Sequence, residues 1–224
     1  MGRKRTQDLK TITRDVGSLL LIQALVMTVS LAVAVAFREW YAALAFLISG
    51  GLTAGIGGLA RWRFIDAPAP LMKHGMVIAA AGWFFTALLG SLPFFLTAHF
   101  TPPAVAAATA NAAGFETSSL FYFREPLHAV FESMSGWTGS GLTMAVHEPT
   151  LPRAIQWWRT VIQWVGGVGV IVLTVAILAR PGSGSYTLYQ SETRERKIHP
   201  SIVSTVRTVW KIFFAYTVVS IGVL

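Results

Sequence analysis

Long uncharged, mostly apolar stretches alternate with short basic segments along this chain of 224 residues. An α-helix needs about 20 such residues to cross the roughly 30 Å hydrocarbon core of a bilayer. Four stretches have about that length or more, namely residues 18–37, 41–60, 75–98 and 160–179. Because proline has no N–H for an intrahelical hydrogen bond, we expect Pro93 to kink or end the third helix. The pattern predicts an all-α integral membrane protein.

A fifth apolar stretch begins near Thr208 and still continues at Leu224. Its uncharged part, residues 212–224, is too short to cross a bilayer. We therefore expect the sequence to be truncated within a transmembrane helix.

The composition agrees with a membrane protein and narrows the chemistry. Apolar residues make up 54% of the chain and charged residues only 12%, whereas soluble domains carry about 25% charged residues. This excludes an ordinary soluble domain, and the high apolar content excludes a disordered chain. The chain has no cysteine, which excludes disulfides, a thiolate catalyst and a zinc site with cysteine ligands. Its five histidines do not have the spacing of metal ligands.

The positive charge, +8 overall, indicates the orientation in the membrane. Most of the Lys and Arg residues fall in three segments: Arg3, Lys4, Arg5, Lys10 and Arg14; Arg61, Arg63 and Lys73; and Arg180, Arg194, Arg196, Lys197, Arg207 and Lys211. Two predicted crossings separate successive segments, and cytoplasmic loops collect Lys and Arg. We therefore predict a multi-pass protein of the cell inner (cytoplasmic) membrane with a cytoplasmic N-terminal segment, residues 1–17. Its basic residues are interpreted as an orientation signal, and no nucleic-acid partner is expected.

About 60 residues separate the third and fourth apolar stretches, which is long for a connection without a function. Within them, Pro126 opens an amphipathic pattern with apolar residues at Leu127, Val130, Phe131 and Met134, as on one helical face. Proline is favoured in the first turn of a helix. We predict a short helix over about residues 126–136, too short to cross the membrane.

Three glycines, Gly136, Gly139 and Gly141, follow among serines and threonines and favour an extended segment after the short helix. One interpretation is a flexible outer loop. The order of span, short helix, glycine segment and span favours a re-entrant pore loop. Irregular backbone is tolerated at membrane depth where it lines an aqueous path, and its carbonyls can replace the hydration shell of a cation.

Residues 131–143, Phe-Glu-Ser-Met-Ser-Gly-Trp-Thr-Gly-Ser-Gly-Leu-Thr, resemble the first pore helix and filter of the TrkH/KtrB (Trk/Ktr/HKT) potassium-uptake family. Residues 151–159 and 163–169 are similar to the start of that family's next helix. Glu192, His199–Pro200 and Val209–Trp210 resemble the entry to its second repeat. The resemblance runs from about Arg61 to the end of the chain.

The resemblance implies four span–pore-loop–span repeats around one ion path, preceded here by two extra spans. The extra spans would be residues 18–60, the first repeat residues 75–179, the cytoplasmic loop residues 180–207 and the second repeat would begin at residue 208. K⁺ would be the transported ion, without a covalently bound cofactor or enzymatic activity. The implied partners are the lipid bilayer, the remaining repeats, a second copy in a homodimer and a cytosolic nucleotide-binding regulatory subunit of the TrkA/KtrA type.

The resemblance also assigns the filter, residues 138–142. The family's filter glycine corresponds to Gly141, and the neighbouring filter residues are Thr138, Gly139, Ser140 and Leu142. K⁺ would bind the backbone carbonyls of Thr138, Gly139, Ser140 and Gly141. A glycine at the Gly141 position accompanies potassium preference in the family. Gly139 departs from the pattern, because many members have a larger polar residue there.

Polar residues around the filter have two interpretations each. Glu132 and Thr143 are candidates for supporting the pore mouth, although Glu132 on the outer surface would be solvated instead. Arg159 is expected to extend to the lipid headgroups rather than act at the ion path. Gln163 is expected to form a hydrogen bond across helices, and the glycine runs at residues 51–55 and 166–169 to lie at close helix contacts.

Two other functions remain open at this point. Ser140 with His147 nearby is similar to the nucleophile and base of an intramembrane serine protease, which need hydrogen-bond contact. Such proteases hold the base on a separate membrane helix, and no predicted span has an internal histidine. A non-conducting scaffold subunit fits the composition. It does not explain why a span, a short helix, a glycine segment and a second span follow one another. The incomplete fifth span argues against a tetramer of single repeats.

Overall fold

The computed structural model describes residues 2–178 and 202–223, and every regular element in these two ranges is helical. The predicted all-α membrane fold is therefore confirmed. The α-helices are α1 (Gly2–Ala36), α2 (Trp40–Arg63), α3 (Met72–Gly90), α4 (Leu92–Phe100), α5 (Pro103–Ala112), α6 (Pro126–Thr138), α7 (Arg153–Leu178) and α8 (Ile202–Val223). Two 3₁₀ turns, Ser119–Arg124 and Glu148–Thr150, lie in the segment between α5 and α7.

Three helical segments among the described residues are long and apolar enough to cross a membrane: Thr6–Ala36, Trp40–Arg63 and His74–Phe100. They contain the first three predicted spans. The predicted fourth span falls in α7 up to Leu178, and the fifth falls in α8 up to Val223, so that crossing by these two helices stays a prediction. Most of the predicted cytoplasmic loop, with Glu192 and His199–Pro200, lies outside the described residues.

The third span is interrupted next to Pro93, where the sequence predicts a kink. α3 ends at Gly90, and α4 begins at Leu92 with Pro93 in its first turn. At the junction, the Ser91 hydroxyl donates a hydrogen bond of 2.7 Å to the carbonyl of Leu88. The missing N–H of Pro93 leaves the Leu89 carbonyl without its usual helical partner, and the Ser91 N–H points to that carbonyl instead.

Helices α1 and α2 form a pair that we call the N-terminal hairpin. The two backbones approach each other closely at Gly17 and Gly57, where a Cβ atom on either glycine would lie 2.8 Å from the carbonyl oxygen of the other. The predicted close contact at residues 51–55 is wrong for the described structure, because no described atom lies within 4 Å of a Cβ built on Gly51 or Gly55. These two glycines face away from α1, and Gly57 occupies the contact.

The segment between α5 and α7 is held by hydrogen bonds between its two 3₁₀ turns. The Thr150 hydroxyl accepts a 2.8 Å bond from the backbone N–H of Ser119, and the Ser119 hydroxyl accepts one of 2.7 Å from His147 N–H. The Ser118 hydroxyl donates to the Thr150 carbonyl at 3.1 Å. These bonds bring the chain from α5 back beside the start of α7.

The chain divides into two compact units, Met1–Gln163 and Trp164–Leu224, with the boundary inside α7. In the second unit, the Trp164 ring lies 5.4 Å, centroid to centroid, from each of the rings of Trp210 and Phe213 on α8. Its indole N–H donates to the Thr217 hydroxyl at 3.0 Å. The candidate site lies entirely in the first unit.

Candidate functional site

The short helix predicted before the glycine segment is α6, and it extends two residues further than predicted, to Thr138. The expectation that Gly136 would end the helix is wrong. A Cβ at Gly136 would overlap the side chain of Ile162 on α7. This glycine therefore permits close packing of two helices and leaves the helical backbone intact.

The helix ends at Gly139, which has the left-handed φ of 67°. Its N–H bonds to the carbonyl of Gly136 at 2.9 Å, and the N–H of Ser140 bonds to the carbonyl of Ser135 at 3.1 Å. This pair of bonds is a Schellman motif, which satisfies the last helical carbonyls when a glycine takes the left-handed conformation. Thr138, predicted in the filter, is thus the last helical residue, and its hydroxyl donates to the Met134 carbonyl at 2.8 Å.

Ser135, a residue that the sequence did not single out, holds the predicted filter against α6. Its hydroxyl donates to the carbonyl of Leu142 at 2.5 Å. A serine hydroxyl has one proton, so in the 3.0 Å contact between the two hydroxyls Ser140 is the donor and Ser135 the acceptor. The predicted filter segment is therefore fixed at both Ser140 and Leu142 by one buried side chain.

The middle of the filter segment has free backbone oxygens. In the described part of the chain no hydrogen bond ends on the carbonyls of Gly139, Ser140 or Gly141, whereas that of Leu142 accepts from Ser135. All three residues are exposed. Gly141 has φ of 74°, which other residues rarely adopt. The segment thus combines a constrained backbone with several carbonyl oxygens that have no partner in this chain.

A buried ionic cluster fixes the chain just after the filter. The Glu132 carboxylate on α6 is 4% exposed and accepts a 2.8 Å bond from the N–H of Met144. The Thr143 hydroxyl lies 3.1 Å from each of its oxygens, and Arg159 Nε on α7 forms an ion pair with it at 2.5 Å. Arg159 also donates to the Thr143 hydroxyl at 2.9 Å. Glu132 and Thr143, which were predicted together as support for the pore mouth, are in direct contact.

Two sequence interpretations of this cluster are wrong. Glu132 is not a solvated surface carboxylate, because its side chain is buried and paired. Arg159 does not extend to lipid headgroups, because its guanidinium binds Glu132 and Thr143. A buried charge is tolerated when an opposite charge and hydrogen bonds compensate for lost hydration. An arginine directly before a predicted span was the available signal, since an ionisable residue at membrane depth usually has a partner. For Ser135 no comparable signal exists.

Gln163 lies on the other side of the filter glycine. A Cβ at Gly141 would be 3.2 Å from the Gln163 amide nitrogen. The predicted interhelical hydrogen bond of Gln163 is not present among the described residues; its side chain instead limits the space beside Gly141. The small pocket between them, about 20 Å³, is lined by residues of α6, the filter and α7.

The geometry does not support a serine protease. The Ser140 hydroxyl is bonded to Ser135, and the His147 ring stacks on Phe115 with 4.3 Å between ring centroids. A nucleophile and its base need direct hydrogen-bond contact, and these two side chains are engaged elsewhere. Within the described ranges no three His, Asp or Glu side chains are grouped as metal ligands.

Comparison with known proteins agrees with the membrane fold. The family model described as TrkH, cation transport protein, matches residues 74–224. An uncharacterized cation transporter of Methanocaldococcus jannaschii is 32% identical over 99% of this chain and 42% of its own length. The Trk system potassium uptake protein TrkH of Halomonas elongata is 34% identical over 94% of this chain and 40% of its own.

The crystal structure of the potassium transporter TrkH from Vibrio parahaemolyticus is similar in fold, with a TM-score of 0.69 and 26% identity. The match covers 94% of this chain and 38% of that one. This chain thus spans about two fifths of the length of its curated relatives. Because the family model matches well over half of the chain, this protein belongs to the TrkH family of cation transport proteins.

Proposed function

We propose that this chain forms part of a potassium-uptake transporter, in which residues 138–142 are one filter segment of an ion path. The observation that carries the proposal is the row of unpaired, exposed carbonyls at Gly139, Ser140 and Gly141 on a backbone fixed from behind. Carbonyl oxygens held in this way replace the hydration shell of a monovalent cation. K⁺ is the cargo, and its passage forms and breaks no covalent bond.

The choice of K⁺ rests on the relatives. Those from Halomonas elongata and Escherichia coli are named Trk system potassium uptake proteins, and they are 34% and 31% identical to this chain. We propose that α6 and the filter dip into the membrane from the outer side and return, as the order of elements suggests. The C-terminal end of α6 then directs its partial negative charge toward the cation.

Glu132 and Thr143 support this filter from the side of α7. The carboxylate binds the backbone after the filter through Met144, and Arg159 neutralises its charge. We propose that the cluster fixes the outer end of the filter without adding net charge to the ion path. The carbonyls of residues 138–141 then supply the negative field that the cation meets, with Thr138 contributing the last helical carbonyl.

The complete transporter needs more than the described residues, because one filter segment exposes its carbonyls on one side. We propose that three further repeats of the same protein close the path. We also propose a homodimer in the cell inner membrane with a cytoplasmic N-terminus, and a cytosolic nucleotide-binding regulatory subunit of the TrkA/KtrA type. The partners follow the family, and the orientation follows the basic segments, which fall on one side of the predicted spans.

K⁺ uptake in a transport-deficient bacterium tests the proposal. The 224-residue chain is compared with a version extended through its natural downstream reading frame. Rescue by the extended protein alone is expected, since it would supply the remaining filter segments. Rescue by the shorter chain would mean that it assembles its own pore, and the absence of rescue by both would contradict potassium uptake.

A further inference from the structure

Three buried polar atoms behind the filter helix have no hydrogen-bond partner in the described structure. They are the amide oxygen of Gln23, the hydroxyl of Ser133 and the indole nitrogen of Trp137. Their residues are 1%, 0% and 7% exposed. Leaving a buried polar group unpaired costs about 1–3 kcal/mol. Three unpaired polar atoms in one place therefore indicate that these groups form hydrogen bonds with one another.

The three side chains meet at Gly90, the last residue of α3. A Cβ built on Gly90 would lie 2.7 Å from the Ser133 hydroxyl, 2.7 Å from the Trp137 indole nitrogen and 2.9 Å from the Gln23 amide nitrogen. Gln23 belongs to α1, whereas Ser133 and Trp137 lie one turn apart on α6. The absence of a side chain at Gly90 therefore lets polar groups of α1 and α6 approach each other across α3.

The donors and acceptors of the three groups are complementary. The Gln23 amide nitrogen already donates to the carbonyl of Thr86 at 2.9 Å, which leaves its oxygen as an acceptor. An indole nitrogen is only a donor, and a hydroxyl is both. A chain of bonds from the Trp137 N–H to the Ser133 hydroxyl, and from that hydroxyl to the Gln23 oxygen, would give each of the three groups a partner.

A second set of contacts joins the N-terminal hairpin to the same turn of α6. The Phe46 ring on α2 meets Trp158 edge-on at 5.8 Å between centroids, and Trp158 meets Trp137 edge-on at 6.4 Å. Trp158 also donates to the carbonyl of Gly90 at 3.1 Å. Edge-to-face aromatic pairs at these separations are stabilising. Helix α2 of the hairpin is thus connected through Trp158 to Trp137, the residue directly before Thr138.

We propose that Gln23, Ser133 and Trp137 form one hydrogen-bonded junction through which the N-terminal hairpin sets the position of α6 and hence the ion selectivity of the filter. The inference rests on the proposed potassium uptake. Gln23 and Ser133 are positioning residues, since they act on the ion only through α6. The hairpin then belongs to the selectivity apparatus in addition to spanning the membrane.

The ratio of K⁺ to Na⁺ uptake by the extended protein tests the junction. Gln23→Leu and Ser133→Ala are each expected to lower this ratio about fivefold, the factor that corresponds to the loss of about one buried hydrogen bond. The double variant is expected to match the single variants, because removing both partners breaks the same junction. The matched control is Thr53→Val on α2, which changes another buried hydroxyl without a described partner.

Each outcome is informative about the junction. A general structural defect would lower the amount of protein and the total uptake while leaving the ratio unchanged, and this result would overturn the proposal. Fivefold losses that multiply in the double variant would also overturn it. If the unmutated extended protein transports no K⁺, the proposed function fails but the junction is still tested by thermal unfolding in detergent. The shifts in Tm must then be non-additive; additive shifts would rule out the junction.

Discussion

Gly141 shows how one residue combines two separate constraints. Its φ of 74° is left-handed, and a Cβ would come within 3.2 Å of Gln163. The backbone conformation costs a residue with a Cβ about 1 kcal/mol, and the contact would require Gln163 or the backbone at Gly141 to shift. We expect Gly141→Ser to weaken K⁺ over Na⁺ discrimination in uptake by the extended protein.

Gly114 provides the control for Gly141, because its φ of 83° is also left-handed but no described atom lies within 4 Å of its Cβ position. Gly114→Ser should lower the free energy of unfolding by about 1 kcal/mol, as Gly141→Ser should. It should leave the ratio of K⁺ to Na⁺ uptake unchanged. An unaltered ratio in Gly141→Ser, or an equal change in both variants, would remove the assignment of Gly141 to the filter.

The Glu132–Arg159 pair makes a second prediction at the scale of single residues. Removing one member of a buried pair leaves the other charge without compensation, which costs about 3 kcal/mol. We expect Glu132→Gln and Arg159→Gln each to lower the thermal unfolding temperature in detergent, and the double variant to recover part of the loss. Glu148→Gln at an exposed carboxylate is the control. If the double variant shows the sum of both losses, the two charges do not stabilise each other.

Helix contacts in the N-terminal hairpin can be tested with a pair of glycines on the same helix. A Cβ at Gly57 would lie 2.8 Å from the Gly17 backbone oxygen, whereas a Cβ at Gly55 meets nothing within 4 Å among described residues. We expect Gly57→Ala to separate α1 and α2 and lower the unfolding temperature. Gly55→Ala should be neutral or stabilising, because alanine favours helix by about 1 kcal/mol over glycine. Equal effects of the two substitutions would contradict this packing.

The lengths of the apolar stretches predicted where the helices lie. They did not predict which residues the helices bring into contact. Bilayer thickness alone fixes how many residues a span needs, and residues 41–60 fall inside the helix Trp40–Arg63. The end of α6 was predicted less well, since Gly136 and Gly139 look alike in the sequence. Only the proximity of Ile162 distinguishes a glycine that permits packing from one that ends a helix. That proximity depends on how α7 returns beside α6.

At the scale of the whole molecule, the sequence singled out a candidate segment but did not predict the contacts that hold it. The glycines and the short amphipathic pattern indicated that residues 126–142 form a short helix followed by a candidate filter. The contacts of Ser135 with Leu142 and of Glu132 with Arg159 depend on where the chain turns back, and local periodicity carries no information on this. Gln23 was part of an apolar stretch, and its position beside α6 follows only from the packing of α1 on α3.

Glu39 joins distant parts of the chain and makes a prediction at this scale. Its two carboxylate oxygens accept hydrogen bonds of 2.7 Å and 2.9 Å from the N–H groups of Arg153 and Ala154 at the start of α7. A carboxylate at a helix N-terminus satisfies free N–H groups and the helix dipole, and its loss costs about 1 kcal/mol. We expect Glu39→Ala to lower the unfolding temperature and Glu39→Gln, which keeps one acceptor, to lower it less. An exposed control is Glu148→Gln; equal stability of all variants would contradict the cap.

The bonds that shape the predicted filter segment, between Ser135 and Leu142 and between Glu132 and Met144, lie within residues 132–144. The curvature of this loop is therefore held by contacts that the segment makes with its own helix. Under the proposed function, further filter segments would meet a surface that is already shaped, and their docking would displace the water beside its exposed carbonyls.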